Sequence, residues 1–407
     1  MKIAIIHSGN SGFFPRFYRL LCNAIEENKD KCILLVPNSG RNKRCVLPNQ
    51  ITWGTRFNWY IHSICYKITG LQDIFSIFDT FHLIYILKQQ KPDVIHLNVI
   101  NDKIINMPLL VRYINTNNIA VVWTMHDCRA FTGQCPYFDE VNCFRWKTGC
   151  GQCPICETKI DNTNITWNLR KKWQTRIKRM VIVTPSQWLA NYVKESFFKN
   201  YPIKVIYNGV NIDGIFKNTE LDVRKEYNIS ENKKIILGCS IFWEYRKGLN
   251  FFIQLAKKLN SDYQIVLIGN IDDEKKKELI DNNIICTGKT NTFDEMVAWY
   301  QAASVFCNPT MADNFPTVNI ESLAVGTPVV TFNTGGSPEA IDENTGIVVE
   351  QGNVEELYNA LIYVTENMDA FSYENCIKRF QLFSIRQYKI YVNLYHKVCE
   401  KIWKEDI

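Results

Sequence analysis

The stretch between Asn308 and Val330 holds the side chains best suited to carry chemistry. Asp313 lies in a loop after an apolar run, and Glu321 lies in a helix predicted to begin near Thr317. A carboxylate at the end of a strand can accept two hydrogen bonds from neighbouring sugar hydroxyls. The ordinary alternative is that Asp313 caps the helix and Glu321 lies on a solvated face.

Two further groups follow predicted strands. Arg246 and Lys247 come soon after the apolar run 235–240, and a fork of donors beside a point charge suits a diphosphate. The segment Gly335-Gly336-Ser337-Pro338 offers bare backbone amides at a helix start, which is typical of an anion cradle. Each group alone also fits a solvated basic pair or an ordinary turn.

The elements that position these groups alternate along the chain. Apolar residues occupy consecutive positions in the short runs, which is typical of parallel strands buried on both faces. Helical patterns lie between them, so we predict an α/β fold of doubly wound domains. The predicted strands are 2–7, 32–36, 93–97, 120–125, 181–184, 204–207, 235–240, 264–268, 284–287, 304–308, 328–332 and 346–349. The predicted helices are 15–28, 74–90, 187–198, 249–259, 293–302, 318–323 and a final one from 385.

Two such sets of strands indicate two domains. We predict an N-terminal Rossmann-like domain over 1–208 and a C-terminal Rossmann-like domain over 209–384. A helix over 385–407 is expected to pack back towards the first domain. Ligands of open α/β sheets bind at the carboxyl ends of the strands, so we expect chemistry in a cleft between the two domains.

Composition narrows the class of protein. The 407 residues are 46% hydrophobic and 22% charged, which excludes a disordered chain or a long coiled coil. The net charge of +6 is low for a nucleic-acid binder but suits an anionic substrate or an acidic membrane surface. The apolar start, 3–6, is too short for a secretory signal, so a cytoplasmic protein is expected.

Several motifs together resemble the retaining glycosyltransferases of family four, which have the GT-B fold. The motifs are Arg246-Lys247-Gly248, the acidic pair ending in Glu321-Ser322-Leu323-Ala324-Val325-Gly326-Thr327-Pro328, Gly335-Gly336-Ser337-Pro338-Glu339, Asn208-Gly209-Val210-Asn211 and Thr124-Met125-His126-Asp127. The resemblance is dense in the second half and sparser in the first.

The resemblance implies that the N-terminal domain is the acceptor side and that the C-terminal domain binds the nucleotide sugar. It also implies a role for each matching residue. Arg246 and Lys247 hold the donor diphosphate, and Glu321 binds the ribose hydroxyls. Asp313 stands beside the donor sugar, where the family usually has the longer Glu, and His126 lines the donor sugar and reaction centre. The remaining donor contacts are Phe315, Pro316, Thr317 and Val318. Gly12 is the candidate for a loop that approaches phosphate or acceptor.

The implied activity is transfer of a sugar from a nucleotide-diphosphate sugar to a hydroxyl of a saccharide, with retention and without a catalytic metal. The implied setting is surface polysaccharide synthesis on a lipid-linked acceptor at the cytoplasmic face of the inner membrane. A nucleotide-sugar epimerase of the same fold and a non-catalytic sugar-binding protein are the alternatives. The sequence does not reveal an oligomeric state.

A cysteine-rich insert is predicted at about 128–157. Fifteen cysteines in a large chain argue against a disulfide framework. The Cys-x-x-Cys spacing suits tetrahedral zinc, and we predict a structural zinc site at Cys135, Cys143, Cys150 and Cys153. Disulfides, free thiols and an iron–sulfur cluster remain open. The other cysteines, Cys22 and Cys32 among them, are expected to pack in the core.

Two surface features could contact a membrane or an acceptor. The basic stretch 169–179 with Trp173 suits anionic headgroups, although a solvated helix is the simpler interpretation. An aromatic set is rich enough for an acceptor groove, but its helical spacing favours core packing. The set is Trp59, Tyr60, Phe75, Phe78, Phe81 and Tyr85.

Overall fold

The computed structural model describes residues 1–100, 103–211 and 221–400. The chain divides into two compact units, one of Met1–Tyr207 with the residues from Gln387 onward, the other of Asn208–Arg386. The end of the predicted final helix, 401–407, lies outside the described residues. Within the described ranges, every helix is too short or too polar to cross a lipid bilayer.

The first unit is built on a sheet of seven parallel strands. Their spatial order is β3-β2-β1-β4-β5-β6-β7, the doubly wound pattern in which helices cover both faces. The strands are β1 Lys2–Ile6, β2 Lys31–Pro37, β3 Gln50–Trp53, β4 Val94–Leu97, β5 Ala120–Thr124, β6 Met180–Thr184 and β7 Ile203–Val205. Strands β1, β4, β5 and β6 are almost wholly buried, which explains their unbroken apolar sequences.

Eight helices belong to the first unit within the described residues. They are α1 Phe14–Glu27, α2 Gly40–Arg44, α3 Arg56–Thr69, α4 Ile77–Gln90, α5 Met107–Thr116, α6 Thr163–Gln174, α7 Gln187–Glu195 and α15 Arg386–Cys399. Local signals set several ends: the Thr55 side chain caps α3, which stops at Gly70 in the left-handed region, and Ser186 caps α7.

Helix α15 returns to the first sheet. The Tyr391 hydroxyl lies 3.1 Å from the Thr124 hydroxyl, and the Tyr395 hydroxyl lies 2.8 Å from Nδ1 of His96. All of these side chains are buried. The last helix therefore completes the core of the unit that the N-terminus begins.

The second unit holds a sheet of six parallel strands in the order β10-β9-β8-β11-β12-β13. The strands are β8 Lys234–Phe242, β9 Tyr263–Asn270, β10 Ile285–Gly288, β11 Val305–Asn308, β12 Val329–Phe332 and β13 Gly346–Val349. The helices are α8 Val223–Glu226, α9 Leu249–Ala256, α10 Asp273–Asp281, α11 Phe293–Ala302, α12 Thr317–Leu323, α13 Val354–Glu366 and α14 Tyr373–Phe380.

The predicted α/β class with two doubly wound sheets is confirmed. Each predicted strand has a counterpart, but the prediction missed the strand β3 and several helices. The missed helices include α3, α5, α10, α13 and α14. β3 is a four-residue edge strand with only one buried residue, so it lacks the apolar run of a central strand. The domain boundaries at 208 and 384 stay predictions.

Candidate active site

Three loops meet at the carboxyl edge of the second sheet. They follow β8, β11 and β12, which are neighbours in the sheet. The Arg246 guanidinium donates a hydrogen bond to the Ala312 carbonyl at 2.7 Å, and the Met311 N–H donates to the Arg246 carbonyl at 2.7 Å. The Gly336 N–H donates to the Asn314 carbonyl at 2.9 Å. Backbone bonds thus join all three loops.

Two glycines allow this close approach. Gly248 has a φ of +79°, and a Cβ there would overlap the Pro309 carbonyl oxygen. Gly335 has a φ of +56°, and a Cβ there would overlap the Asp313 carbonyl oxygen. Both positions need a residue that adopts left-handed backbone and has no side chain. These glycines explain two of the sequence motifs as packing requirements of the site.

Lys247 and Asp313 form an ion pair across two of the loops. The Lys247 ammonium lies 2.6 Å from Oδ2 of Asp313, and the two side chains are only 24% and 16% exposed. Partial burial keeps water from screening the pair fully. The structure therefore places the residue predicted to bind the diphosphate in contact with the residue predicted to bind the sugar.

Glu321 lies near the same edge, on α12. The Tyr300 hydroxyl donates to its Oε2 at 3.4 Å. Burial and, to a smaller extent, the Glu321 carboxylate raise the pKa of the Cys239 thiol to about 12, against the opposing effect of the Lys247 cation. Glu321 lies on the helix that follows the loop of Asp313, and its charge and that of Lys247 both act on this one thiol.

The predicted contacts from Phe315 to Val318 lie where the loop after β11 turns into α12. Phe315 is buried, its ring centroid lies 5.6 Å from that of Phe383, and its carbonyl accepts a hydrogen bond from the Asn208 amide at 3.5 Å. Pro316 immediately precedes α12, and Thr317 and Val318 begin it. The aromatic contact fixes the loop that carries these residues.

His126 lies in the first unit, directly after β5. It lines a cavity of about 290 Å³ with His7, Asn98 and neighbouring residues of the loop after β1. Burial lowers the pKa of His126 to about 4. Burial and the nearby His126 lower the pKa of His7 to about 3. Both imidazoles are therefore neutral at neutral pH, and His126 can exchange hydrogen bonds with a ligand without adding charge.

Gly12 lies in the loop between β1 and α1. Its φ is +60°, and the space around its Cβ position is open to 4 Å. The neighbouring Ser11 and Phe13 line the His126 cavity. The positive φ explains the glycine, whereas a close approach to phosphate or acceptor stays a prediction.

Comparison with known families identifies the chain. The model described as "Glycosyltransferase Family 4" matches residues 16–213, and the model described as "Glycosyl transferases group 1" matches residues 233–367. The two matches cover most of both units. The chain is a family four, group 1 glycosyltransferase.

Curated relatives of the glycosyltransferase are distant. The putative colanic acid biosynthesis glycosyl transferase WcaC of Escherichia coli K12 is 21% identical over 295 residues, which is 69% of this chain and 70% of the relative. The N-acetyl-alpha-D-glucosaminyl L-malate synthase of Bacillus anthracis is 26% identical over 181 residues, 42% of this chain and 47% of the relative.

Solved structures match nearly the whole length. A glycosyltransferase from Rickettsia africae ESF-5 has a TM-score of 0.70 at 16% identity and covers 98% of each chain. Anabaena Alr3699/HepE in complex with UDP and glucose has a TM-score of 0.66 at 16% identity and covers 98% of this chain and 99% of its own. These likenesses show that the glycosyltransferase has the GT-B fold.

The larger cavity of the glycosyltransferase was not predicted from the sequence. This cavity of about 410 Å³ lies in the first unit at the carboxyl ends of the strands, and Arg44, Arg56, Lys103, Trp59 and Tyr60 are among the residues that line it. Three cations and two aromatic rings suit an anionic saccharide. The available signal in the sequence was Arg56 followed by Trp59 three residues later.

The expectation that the aromatic set packs in the core is wrong for five of its six members. Phe78 is 76% exposed, and Trp59, Tyr60, Phe81 and Tyr85 are also exposed. Only Phe75 is partly covered. Their helical spacing marks one face of α3 and α4, but that face points away from the core.

The basic stretch 169–179 is partly structural. Arg170 is buried: its guanidinium donates to Asp73 at 2.7 Å, to Gln72 at 2.7 Å and to two backbone carbonyls. Arg179 donates to the Val398 carbonyl at 2.6 Å. These two arginines hold the first unit together, which leaves a weaker cationic surface than the sequence indicated.

Two sets of cysteines bear on the predictions. Cys22 and Cys32 are buried as expected, but the structure pairs them as a disulfide. The predicted metal ligands Cys135, Cys143, Cys150 and Cys153 are free thiols that line one cavity. Among the described residues, three candidate ligand atoms lie within 4.8 Å of one another only at Cys22, Glu26 and Cys32.

Proposed function

We propose that the glycosyltransferase moves a sugar from a nucleotide-diphosphate sugar to a hydroxyl of a saccharide acceptor. The observation that carries this proposal is the ion pair of Lys247 and Asp313 in the loops that Arg246 joins, with Glu321 on the adjoining helix α12. Cations for a diphosphate and carboxylates for sugar hydroxyls are the groups that such a donor needs.

The charged groups have a direct chemical task. Cleavage of the anomeric C–O bond leaves negative charge on the diphosphate. A fixed lysine and arginine stabilise that charge in the transition state more than in the ground state. Arg246 is held by the Ala312 carbonyl and Lys247 by Asp313, so both cations are positioned before the donor arrives.

Each sugar of the donor meets one carboxylate in this proposal. Glu321 accepts hydrogen bonds from the ribose hydroxyls, and Asp313 accepts them from the transferred sugar. Asp313 also pairs with Lys247 at 2.6 Å, so in this proposal one carboxylate serves both the cation and the sugar. Backbone amides between Phe315 and Val318 complete the donor contacts.

Retention and independence from a catalytic metal belong to the same proposal. The fixed cations supply the charge that a divalent ion supplies in other transferases. His126, neutral at working pH, hydrogen-bonds the transferred sugar near the reacting carbon. The leaving phosphate takes the acceptor proton on the face where the acceptor attacks, which gives retention.

The acceptor is proposed to be a lipid-linked saccharide in surface polysaccharide synthesis. The names of two relatives support this setting: WcaC is a putative colanic acid biosynthesis glycosyl transferase, and WclY is an O-antigen biosynthesis glycosyltransferase. The 410 Å³ cavity supports an anionic acceptor through Arg44, Arg56 and Lys103.

The surface of α3 and α4 supports peripheral contact with the cytoplasmic face of a membrane. Helix α3 has no acidic residue, and Asp79, the acidic residue of α4, is buried. The face exposes aromatic and branched side chains beside Arg56, Lys67 and Lys88, a composition typical of helices that lie in anionic lipid. The exposed apolar residues are Phe57, Trp59, Tyr60, Ile61, Ile64, Ile68, Ile77, Phe78, Phe81 and Tyr85.

A transfer assay tests the activity. Purified protein is incubated with uridine, guanosine and thymidine diphosphate sugars, with and without lipid-linked acceptors and with a chelator. We expect one donor to give a new glycoside of retained configuration by NMR, with turnover unchanged by the chelator. Conversion of a donor to its epimer, or binding without turnover of any donor, would favour the alternatives.

Vesicle sedimentation tests the membrane contact. We expect binding to vesicles with anionic lipid, and we expect the double variant Phe78→Ser/Phe81→Ser to lose most of it. Tyr363→Ser, which changes an exposed aromatic residue of α13 in the second unit, is the matched control. Equal binding by both variants would contradict the proposal.

A further inference from the structure

The cysteine-rich insert connects β5 to α6 and contains little regular structure. Its turns are short 3₁₀ segments at Cys128–Ala130, Asp139–Val141 and Arg145–Lys147. Phe131, Phe138 and Trp146 anchor its first half in the core of the first unit. The rim from 148 to 162 has no comparable apolar anchor within its described residues. Hydrogen bonds hold it instead, such as the bond of the Asn162 amide to the Thr69 carbonyl at 2.7 Å.

We infer that Cys135, Cys143, Cys150 and Cys153 bind one Zn²⁺ that fixes this rim. All four line a single cavity of about 20 Å³, although they come from three separate positions along the insert. All four are free thiols. Four cysteine sulfurs around one small space are the donor set of a closed, structural zinc site.

The backbone between Cys150 and Cys153 has the form of a metal-binding turn. Gly151 and Gln152 both have positive φ, at 132° and 48°. This conformation turns the chain so that the first and last cysteine of the turn face the same cavity. Cys153 is further fixed because its N–H donates to the Asp161 carboxylate at 2.6 Å.

Hydrogen-bond donors already point at two of the sulfurs. The Gly133 N–H donates to Sγ of Cys150 at 3.1 Å, and the Gln134 amide donates to Sγ of Cys153 at 3.4 Å. Such bonds orient metal-bound sulfur and stabilise its charge. Arg145 also lines the cavity and donates to the carbonyls of Gly151 and Gln152, so a cation accompanies the net negative Zn(Cys)₄ group.

The structure separates the four ligands from the other cysteines of the insert. Cys128 is fully buried in the core, and Cys156 lies outside the cavity lining, with its sulfur 3.7 Å from the Thr158 hydroxyl.

Tetrahedral zinc holds its sulfurs ~3.8 Å apart at Zn–S bonds of ~2.3 Å. No three sulfurs of the described insert are within 4.8 Å of one another, so binding draws them inward.

Metal analysis of the full-length protein tests this site. We expect one zinc per chain by plasma mass spectrometry in protein purified without added metal. Cys150→Ser and Cys153→Ser should lose the zinc, whereas the matched control Cys156→Ser should keep it. The absence of stoichiometric zinc in the wild type, stoichiometric iron instead, or equal loss in Cys156→Ser would overturn the assignment.

A second measurement uses only the wild-type protein, so its result does not depend on whether a variant folds. X-ray absorption at the zinc edge of the wild-type protein should show four sulfur neighbours at ~2.3 Å. A first shell with nitrogen or oxygen ligands would contradict the four-cysteine site. Neither measurement uses catalytic activity, so the zinc site can fail while the proposed transferase activity stands.

Discussion

The carboxyl edges of the two sheets are built in different ways. In the second unit, loops after three neighbouring strands are joined by backbone hydrogen bonds, and glycines let them approach closely. In the first unit, the corresponding edge opens into cavities of about 290 and 410 Å³. The proposed donor site therefore depends on a few fixed groups, whereas the proposed acceptor side depends on the shape of these cavities and on the residues that line them.

Removal of a fixed cation should have the largest effect. We expect Arg246→Ala to lower kcat/KM by about 10²–10³-fold, because both the diphosphate contact and the bond to the Ala312 carbonyl are lost. Steady-state kinetics with the identified donor measure this. Lys257→Ala, at an exposed position, is the control. A loss below tenfold would contradict the proposal that the donor site depends on a few fixed groups.

Closing the space at a glycine should have the next largest effect. Gly335→Ala places a methyl group against the Asp313 carbonyl oxygen and should weaken donor binding by about tenfold or more. Gly352→Ala is the matched control, because Gly352 has a similar φ of +82° but open space around its Cβ position. Calorimetric titrations with the donor measure both variants. The same Kd for the two would show that the close approach at Gly335 is not needed for donor binding.

The same contrast explains what the sequence could predict. The donor-side residues lie within short motifs after buried strands, so their positions together with the family resemblance predicted that Lys247, Asp313 and Glu321 share one edge. The larger cavity draws Arg44 from α2, Trp59 from α3 and Lys103 from the segment after β4, and no local pattern joins them. Periodicity also located the helix face that carries Phe78 but could not show whether the face is buried.

Changes on the acceptor side should have smaller and more selective effects. Trp59→Ala removes a ring from the larger cavity and should raise the KM for the acceptor several-fold while the KM for the donor stays constant. Trp173→Ala, at a ring stacked with Arg176 outside this cavity, is the control. A parallel rise in both KM values would show that the two edges do not act separately.

The smallest effect near neutral pH should come from the buried histidines of the first unit. Burial lowers the pKa of His126 to about 4 and that of His96 to about 3, below the ordinary value of 6.5. The unfolded chain then binds more protons, so the free energy of unfolding falls as pH drops from 6.5 towards 4, by up to ~1.4 kcal/mol per pH unit for each group.

Thermal unfolding of wild type and His126→Gln across this range measures the effect. The variant should show a shallower loss of Tm with falling pH. The control, His82→Gln, changes an exposed histidine and should keep the wild-type slope. A steeper loss in His126→Gln would mean that His126 is not held neutral.

Diffraction from crystals soaked with the identified nucleotide-diphosphate sugar tests the central claim most directly. The account predicts a diphosphate within hydrogen-bond distance of Arg246 and Lys247, with the ribose against Glu321. A donor bound in the cavity of the first unit, or one that leaves these three side chains untouched, would contradict it.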